Sequence, residues 1–306
     1  MGTLFARVTQ TDRRSPGDTR AAELLKALDS LAERRSLDAV VEPLQHAVRA
    51  VPLGGLRGVL QGRRLGHPLH PALVQVPVGA WLSSALLDGV PGCERAARTL
   101  VAVGVAAAVP AAVTGWVDWA EQHEQQMRTG VLHAAAMSAA VALYGASWAA
   151  RARGSGRLGR GLGLAGVAVL GGGATIGGHL AFRQGAGANK AEPVPHLVEP
   201  GWHDLGRVEE FPLGQGVRRT VGEVPVLVVR EAEQSFRVLA DRCSHFSGPL
   251  SEGEVVDGCV TCPWHGSVFR LADGWNVGGP ATAPQPCFAT RTSEDGLLQA
   301  CLPEAG

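Results

Sequence analysis

The sequence predicts a multidomain membrane protein: an N-terminal helical tail, a bundle of four transmembrane helices, and a small all-β domain towards the C-terminal end. Three observations carry that expectation. Apolar residues, mostly Ala, Val, Leu and Gly, are concentrated between residues 71 and 181, and both flanks are charged. The apolar segments have no polar face, which distinguishes a lipid-embedded helix from the amphipathic helix of a water-soluble core. After residue 201 the pattern changes to short runs such as "VPVLVVR", "SFRVLA" and "GLLQACL", bounded by Gly, Asp and Glu, the mark of short strands.

Residues 1–66 form the polar tail. Leu24, Leu28 and Leu31 recur at helical spacing with "DTRAAE" and "AERR" on the polar side, predicting an amphipathic helix. Its apolar stripe is expected to pack on the membrane domain or on a second copy of the chain, giving a homo-oligomer. No apolar run of the secretory kind opens the sequence, so the tail is expected on the cytoplasmic side. The 28 Lys and Arg balance the 28 Asp and Glu. With no bulk positive field, a nucleic-acid partner is not expected.

Four stretches, 71–90, 97–116, 131–150 and 161–181, reach the roughly 20 residues that a bilayer crossing needs. Pro71 and Pro77 interrupt the start of the first. Short loops between the spans imply antiparallel neighbours and a four-helix domain over residues 67–183. Frequent Gly and Ala suit close helix packing in lipid. Trp116, Trp119 and Trp148 fall near span ends, where amphipathic rings favour the interface. An even number of spans places both termini on one face together with the loop at 117–130, although the arginines on the two faces balance. Residues 184–201, "QGAGANKAEPVPHLVEPG", read as a Gly/Pro linker of at most roughly 60 Å, semi-rigid in its proline half. The final domain covers 202–303.

Within that last domain "DRCSHFSGPL" and "CPWHGSVF" bring two Cys/His pairs: Cys243-x-His245 and Cys262-x-x-His265. Two thiolates and two imidazoles suit a tetrahedral zinc. They equally suit a two-iron cluster with both cysteines on one iron and both histidines on the other. The flanking residues, "CSHFSGPL" and "CPWHGSVFRLADG", resemble the Rieske [2Fe–2S] domain over the last hundred residues. That resemblance implies Cys243 and Cys262 on one iron and His245 and His265 on the other. Two neutral imidazoles in place of thiolates lower the negative charge, which places such centres at roughly −150 to +300 mV.

The high-potential members of that family carry an extra disulfide across the two loops. Here Ser247 or Gly248 and Trp264 stand in those places, so the brace is absent. The resemblance also gives Ser267 the role of a hydrogen-bond donor near the cluster sulfurs, while Phe269 replaces a tyrosine donor. With one donor fewer, the potential is expected in the lower half of the range. Phe246 and Trp264 are expected to shield the cluster. Cys93, Cys259, Cys287 and Cys301 show no framework spacing and read as reduced thiols.

"GHPLHPALVQVPVGAWL", "PAAVTGWVDW", "VLHAAAM" and "GGHLAFRQGAG" resemble a bacterial membrane family, domain of unknown function 2231, over residues 66–187. His67 and His70 precede the first span, His133 opens the third and His179 closes the fourth. Antiparallel threading puts them near one face, with His123 in the loop on that face. Ionisable residues at membrane depth point to function. Three readings stay open: a bis-histidine haem b using His133 with His179 or His70, a quinone pocket lined by these histidines, and simple capping of helix ends.

No nucleophile motif, phosphate loop or paired-carboxylate site is evident. "GVAVLGGGATIGG" lies inside an apolar span and follows no strand, which excludes a nucleotide fingerprint. A self-contained oxygenase is not expected, because no soluble stretch offers a two-His-one-carboxylate iron site. The expectation is a membrane-anchored electron carrier that exchanges electrons with a redox partner protein, with quinone or haem on the membrane side. Two alternatives are a redox sensor that reports through the tail, and the Rieske subunit of a multi-chain oxygenase or reductase.

Overall fold

The computed structural model describes residue 23 and residues 26–303. Leu24, part of the predicted tail stripe, lies outside the described residues. Helix α1 (residues 26–32) leads through a single 3-10 turn to α2 (Asp38–Ala50). The apolar face of α2 buries Val41 and packs Leu44 and Val48 against Trp116, Trp119 and Met127. Arg128 is almost fully buried and donates Nε and Nη2 to the Asp38 carboxylate at 2.6 and 2.9 Å. Arg183 grips Asp29 in the same bidentate way at 2.7 and 2.6 Å. The tail therefore packs on the bundle of its own chain. This docking corrects the placement of Trp119, which is buried under α2 and donates its indole N–H to the Met127 carbonyl at 2.9 Å. Trp148 stays exposed.

The helical region continues with α3 (Leu56–Leu60), α4 (His70–Leu73), α5 (Gln75–Leu87), α6 (Glu94–Trp119), α7 (Glu124–Ala152) and α8 (Gly156–Gly178). A π-helical turn, His179–Arg183, extends α8. Among the described residues three segments are long and apolar enough to cross a membrane: Glu94–Trp119, Glu124–Ala152 and Gly156–Arg183. The expected first span differs. It breaks at Val74 into α4 and the 13-residue α5, and α5 reaches only about 20 Å against a hydrocarbon core of about 30 Å. The reason is local. Pro71 and Pro77 lack the N–H that a continuous helix needs, so each sits in the first turn of its own short helix.

α5 packs on α6, α6 on α7, α7 on α8, and α8 returns to α5, with α4 lying against α6. The bundle centre holds Trp81 stacked on Tyr144, ring centres 4.2 Å apart and 6° from parallel. Gly104 and Gly166 clear the space these rings occupy; a Cβ on Gly166 would stand 2.8 Å from Tyr144. Gly159, Gly163, Gly166 and Gly173 are buried along α8, and α7 and α8 approach closely along this stripe. At the end of the bundle remote from the β domain, Arg151 holds Asp88 with two hydrogen bonds of 2.6 Å.

Ten antiparallel strands follow: β1 (His203–Arg207), β2 (Gly216–Val221), β3 (Val224–Ala232), β4 (Ser235–Ala240), β5 (Glu254–Val256), β6 (Cys259–Thr261), β7 (Val268–Arg270), β8 (Asn276–Gly278), β9 (Cys287–Thr292) and β10 (Leu297–Cys301). They form a six-stranded sheet ordered β1-β10-β9-β4-β3-β2 and a four-stranded sheet ordered β5-β6-β7-β8. Strand β3 explains its continuous apolar run, because both of its faces are covered. Val226 and Val228 enter one core with Phe211, Phe236 and Phe288. Leu227 and Val229 enter another with Cys243, Cys262 and Phe269.

Where composition predicts a linker, the chain is packed. Ala191 is buried, Val194 in α9 (Val194–Leu197) joins the first β core, and Asn189 Oδ1 accepts the Ala191 N–H at 3.0 Å. Lys190 N–H bonds the Ser244 carbonyl at 2.9 Å, and Arg63 reaches the Val277 carbonyl at 3.1 Å. These contacts seat the β domain on the end of the bundle.

Candidate metal centre

Two loops of identical construction meet above Leu227 and Val229. The first joins β4 to β5 and carries Cys243 and His245; the second joins β6 to β7 and carries Cys262 and His265. In the first, the Cys243 carbonyl accepts the Ser247 N–H at 2.8 Å, and Cys243 N–H donates to the Gly248 carbonyl at 2.9 Å. In the second, the Cys262 carbonyl accepts from Gly266 at 3.1 Å and Cys262 N–H donates to Ser267 at 2.8 Å. Each turn needs a left-handed residue at the same place, Ser247 at φ 62° and Gly266 at φ 69°.

This wrapping aims backbone N–H groups at the sulfurs: those of His245 and Phe246 at Cys243, those of Trp264 and His265 at Cys262. The two thiols also face one another. The hydrogen bond from Cys243, helped by those N–H groups, draws the Cys262 thiol down against the opposing effect of burial. Burial pushes His245 down to about 3 and His265 to about 4, so both imidazoles are neutral at pH 7 and have a lone pair to offer. Their ring centres lie 5.0 Å apart.

A third loop closes the site and was not foreseen from the sequence. Gly279, at φ 74°, lies so close to Gly266 and Ser267 that a Cβ there would collide with their backbone. Ala281 N–H donates to the Ser267 hydroxyl at 3.1 Å, and Ser244 Oγ donates to the Ala283 carbonyl at 2.7 Å. The signal was present as the "GGP" turn at 278–280.

The donors fit a two-iron cluster better than a single ion. With metal–nitrogen bonds of about 2.0–2.1 Å and about 1.1 Å from ring centre to nitrogen, two imidazoles on one tetrahedral ion have centres roughly 5 Å apart. The His pair matches that spacing. His245 Nδ1 is buried with no hydrogen-bond partner. Among the described residues no three His, Cys, Asp or Glu side chains converge as on one ion; the four stand as two pairs.

Comparison with known proteins agrees with this geometry. The family model described as the Rieske [2Fe-2S] domain matches residues 201–289. Over 90 residues the chain is 37% identical to the anthranilate 1,2-dioxygenase ferredoxin subunit of Burkholderia cepacia, covering 29% of this chain and 82% of that protein. The chain belongs to the Rieske [2Fe–2S] family. It therefore carries the binding domain of a [2Fe–2S] cluster. The 3-phenylpropionate/cinnamic acid dioxygenase ferredoxin subunit of Escherichia coli (strain K12) is 33% identical over 99 residues, 32% of this chain and 91% of that one. A solved complex of reduced oxygenase and oxidized ferredoxin in carbazole 1,9a-dioxygenase includes a chain matched at 26% identity and TM-score 0.32, covering 34% of this chain and 96% of that chain. A second family model, described as a predicted membrane protein (DUF2231), matches residues 66–190.

Within the Rieske domain, all six cysteines of the chain being free, no disulfide braces the loops. Packing gives the reason at Gly248. A Cβ there would stand 2.8 Å from Cys262 Sγ and 3.1 Å from the Trp264 ring, so the tryptophan fills the room a bridge would need. Ser267 and Phe269 are fully buried beside the loops.

The membrane-region histidines separate into different settings. His123 stands at the N-cap of α7, its backbone N–H donating to Gln126 Oε1 at 3.1 Å. Its ring lies 5.2 Å from that of His265 and 4.5 Å from that of Phe246, against the Rieske loops. His179 Nε2 stands 3.3 Å from Asp29 of the tail. Among the described residues its ring makes no contact with that of His133, the partner considered above. His70 and His133 meet instead, with ring centres 6.4 Å apart. His67 is exposed and bonds the Pro68 carbonyl.

Proposed function

We propose that the chain is a membrane-anchored one-electron carrier, with Cys243 and Cys262 on one iron of the cluster and His245 and His265 on the other. The observation that carries this reading is the pair of matched loops, which present two thiols and two neutral imidazoles over one buried floor. When bound, the cluster supplies the exchange of a single electron. The protein does the rest. Backbone N–H groups at both sulfurs offset negative charge. Ser267, having accepted the Ala281 N–H, keeps its own hydrogen for a sulfur of the cluster. Phe246, buried, excludes water from one flank.

In this reading α4 and α5 act together as a fourth crossing, and the tail and Rieske domain share the cytoplasmic face. The domain boundaries then fall as the sequence suggests: tail 1–66, bundle 67–183, packed connector 184–201 and Rieske domain 202–303. Trp264 is half exposed and lies beside His123 of the bundle, ring centres 5.8 Å apart, so a redox partner protein would approach at this rim. The resemblance to ferredoxin subunits of dioxygenase systems supports a partner on a separate chain.

The test is direct. Anaerobically purified full-length protein is expected to hold two irons and two inorganic sulfides per chain. Reduction should add one electron per cluster, with a midpoint in the lower half of roughly −150 to +300 mV. Zinc in place of iron, or iron without sulfide, overturns the proposal.

A further inference from the structure

His70 and His133 are placed by the same three-part device, used twice. His70 on α4 donates Nδ1–H to the Ala111 carbonyl of α6 at 2.7 Å, and its ring rests on Gly115, one turn further along α6. His133 on α7 donates Nδ1–H to the Gly173 carbonyl of α8 at 2.9 Å, and its ring rests on Gly177, one turn further along α8. The glycines are required by the contact: a Cβ would lie 2.9 Å from His70 and 3.0 Å from His133. A carbonyl only accepts, so each Nδ1 bears the hydrogen and each Nε2 keeps a lone pair. This is the manner in which metal-ligating histidines are oriented.

The bundle brings the two rings together. α6 and α8 occupy opposite corners, and α4/α5 and α7 occupy the other two, so the imidazoles approach across the bundle. Their planes are nearly perpendicular, at 89°. Neither Nε2 has a hydrogen-bond partner among the described residues. Two lone pairs cannot bond each other, so a direct contact satisfies neither nitrogen.

The spacing selects the occupant. Two imidazoles in line on one ion, with metal–nitrogen bonds of about 2.0–2.1 Å, have ring centres roughly 6.3 Å apart, against roughly 5 Å on a tetrahedral ion. The observed 6.4 Å between ring centres is compatible with the linear value and too long for the tetrahedral one. We propose that His70 and His133 bind one transition-metal ion in line between their Nε2 atoms, either the iron of a haem or a bare cuprous ion. Both are metals that imidazole suits. The site does not depend on the Rieske cluster. It lies about ten residues, roughly 15 Å, along α7 from His123, which touches the cluster loops.

The test uses full-length protein in detergent. Elemental analysis and the absorption spectrum of purified material are followed by titration of metal-depleted protein with hemin and, separately, with cuprous ion. One hemin per chain with a six-coordinate spectrum identifies haem iron; one cuprous ion per chain identifies the bare ion. In either case His70→Ala and His133→Ala should each weaken uptake at least tenfold, while His179→Ala should not change it. Gly177→Ala, which keeps both imidazoles but displaces one, should weaken uptake without loss of the helical fold. Absence of saturable uptake of either probe by the wild-type protein overturns the proposal whatever the variants do. So does uptake that survives both histidine substitutions.

Discussion

Two histidine pairs in this molecule sit 5.0 and 6.4 Å apart, and the difference carries chemical information. His245 and His265 come from loops, at a spacing suited to one tetrahedral ion, and their neighbourhood is lined with inward N–H groups. His70 and His133 come from helices, at a spacing suited to an ion between opposed ligands, and backbone carbonyls fix their orientation. N–H dipoles favour a centre of net negative charge, such as sulfide and thiolate on iron. Carbonyls that accept from imidazole favour a cation by raising ligand basicity. A loop can supply N–H groups because its backbone is not committed to a ladder. A helix in lipid cannot do so without breaking its own hydrogen bonds, so only carbonyl oxygens, which have a second lone pair, are free to serve.

Several perturbations would sharpen or break this contrast. The largest effect belongs to Cys262→Ser or Cys243→Ser. Either should abolish cluster iron and sulfide, read by chemical assay and visible absorption, while His70→Ala leaves both at the wild-type level. Equal cluster loss in the two sets would mean that the sites are not separate.

Next is Trp81→Ala, which removes a buried ring stacked on Tyr144. It should cost the bundle about 3–5 kcal/mol, seen as an earlier helical melt in detergent, with the cluster spectrum intact until that melt begins. Ser267→Ala and Phe269→Tyr probe the charge environment of the Rieske loops more finely. Removing one hydrogen bond worth about 1 kcal/mol should lower the midpoint by roughly 40 mV, and adding one should raise it by a similar amount. A redox titration that moves in the opposite direction would contradict the N–H account.

The smallest effect is expected at the tail. Hydrogen bonds from Arg183 hold Asp29, and those from Arg128 hold Asp38, below the usual carboxylate range. His179 also faces Asp29, and Arg35 lies near Asp38. Lowered carboxylate values mean that this contribution to docking is complete above about pH 4 and is lost as the pH falls through the lowered values. Limited proteolysis should therefore cut the tail faster at pH 3 than at pH 6. Equal rates would show that the apolar contacts of Val41 and Leu44 hold it alone.

How much of this was readable beforehand follows the range of each interaction. The cluster loops were legible because each packs its Cys, His and turn residue within six positions. The β runs were legible because β3, β4 and β10 alternate or saturate with apolar residues over short distances. Three long helices were evident from composition, and the break at Val74 was hinted at by Pro71 and Pro77. Trp119 was misplaced because its position near a span end carries no information about α2, which covers it. The connector 184–201 was read by its Gly and Pro content, while Ala191 and Val194 had a core waiting in a distant segment.

Sequence alone determined the cluster chemistry, the apolar helices and the order of the domains, since ligand type, hydropathy and turn residues act locally. Tertiary structure alone decided that His70 meets His133 and not His179, that His123 rests on the Rieske loops, and that a third loop at Gly279 closes them. Those choices depend on which helix corners face each other and on where a missing Cβ lets two segments touch, quantities set by packing across the whole chain.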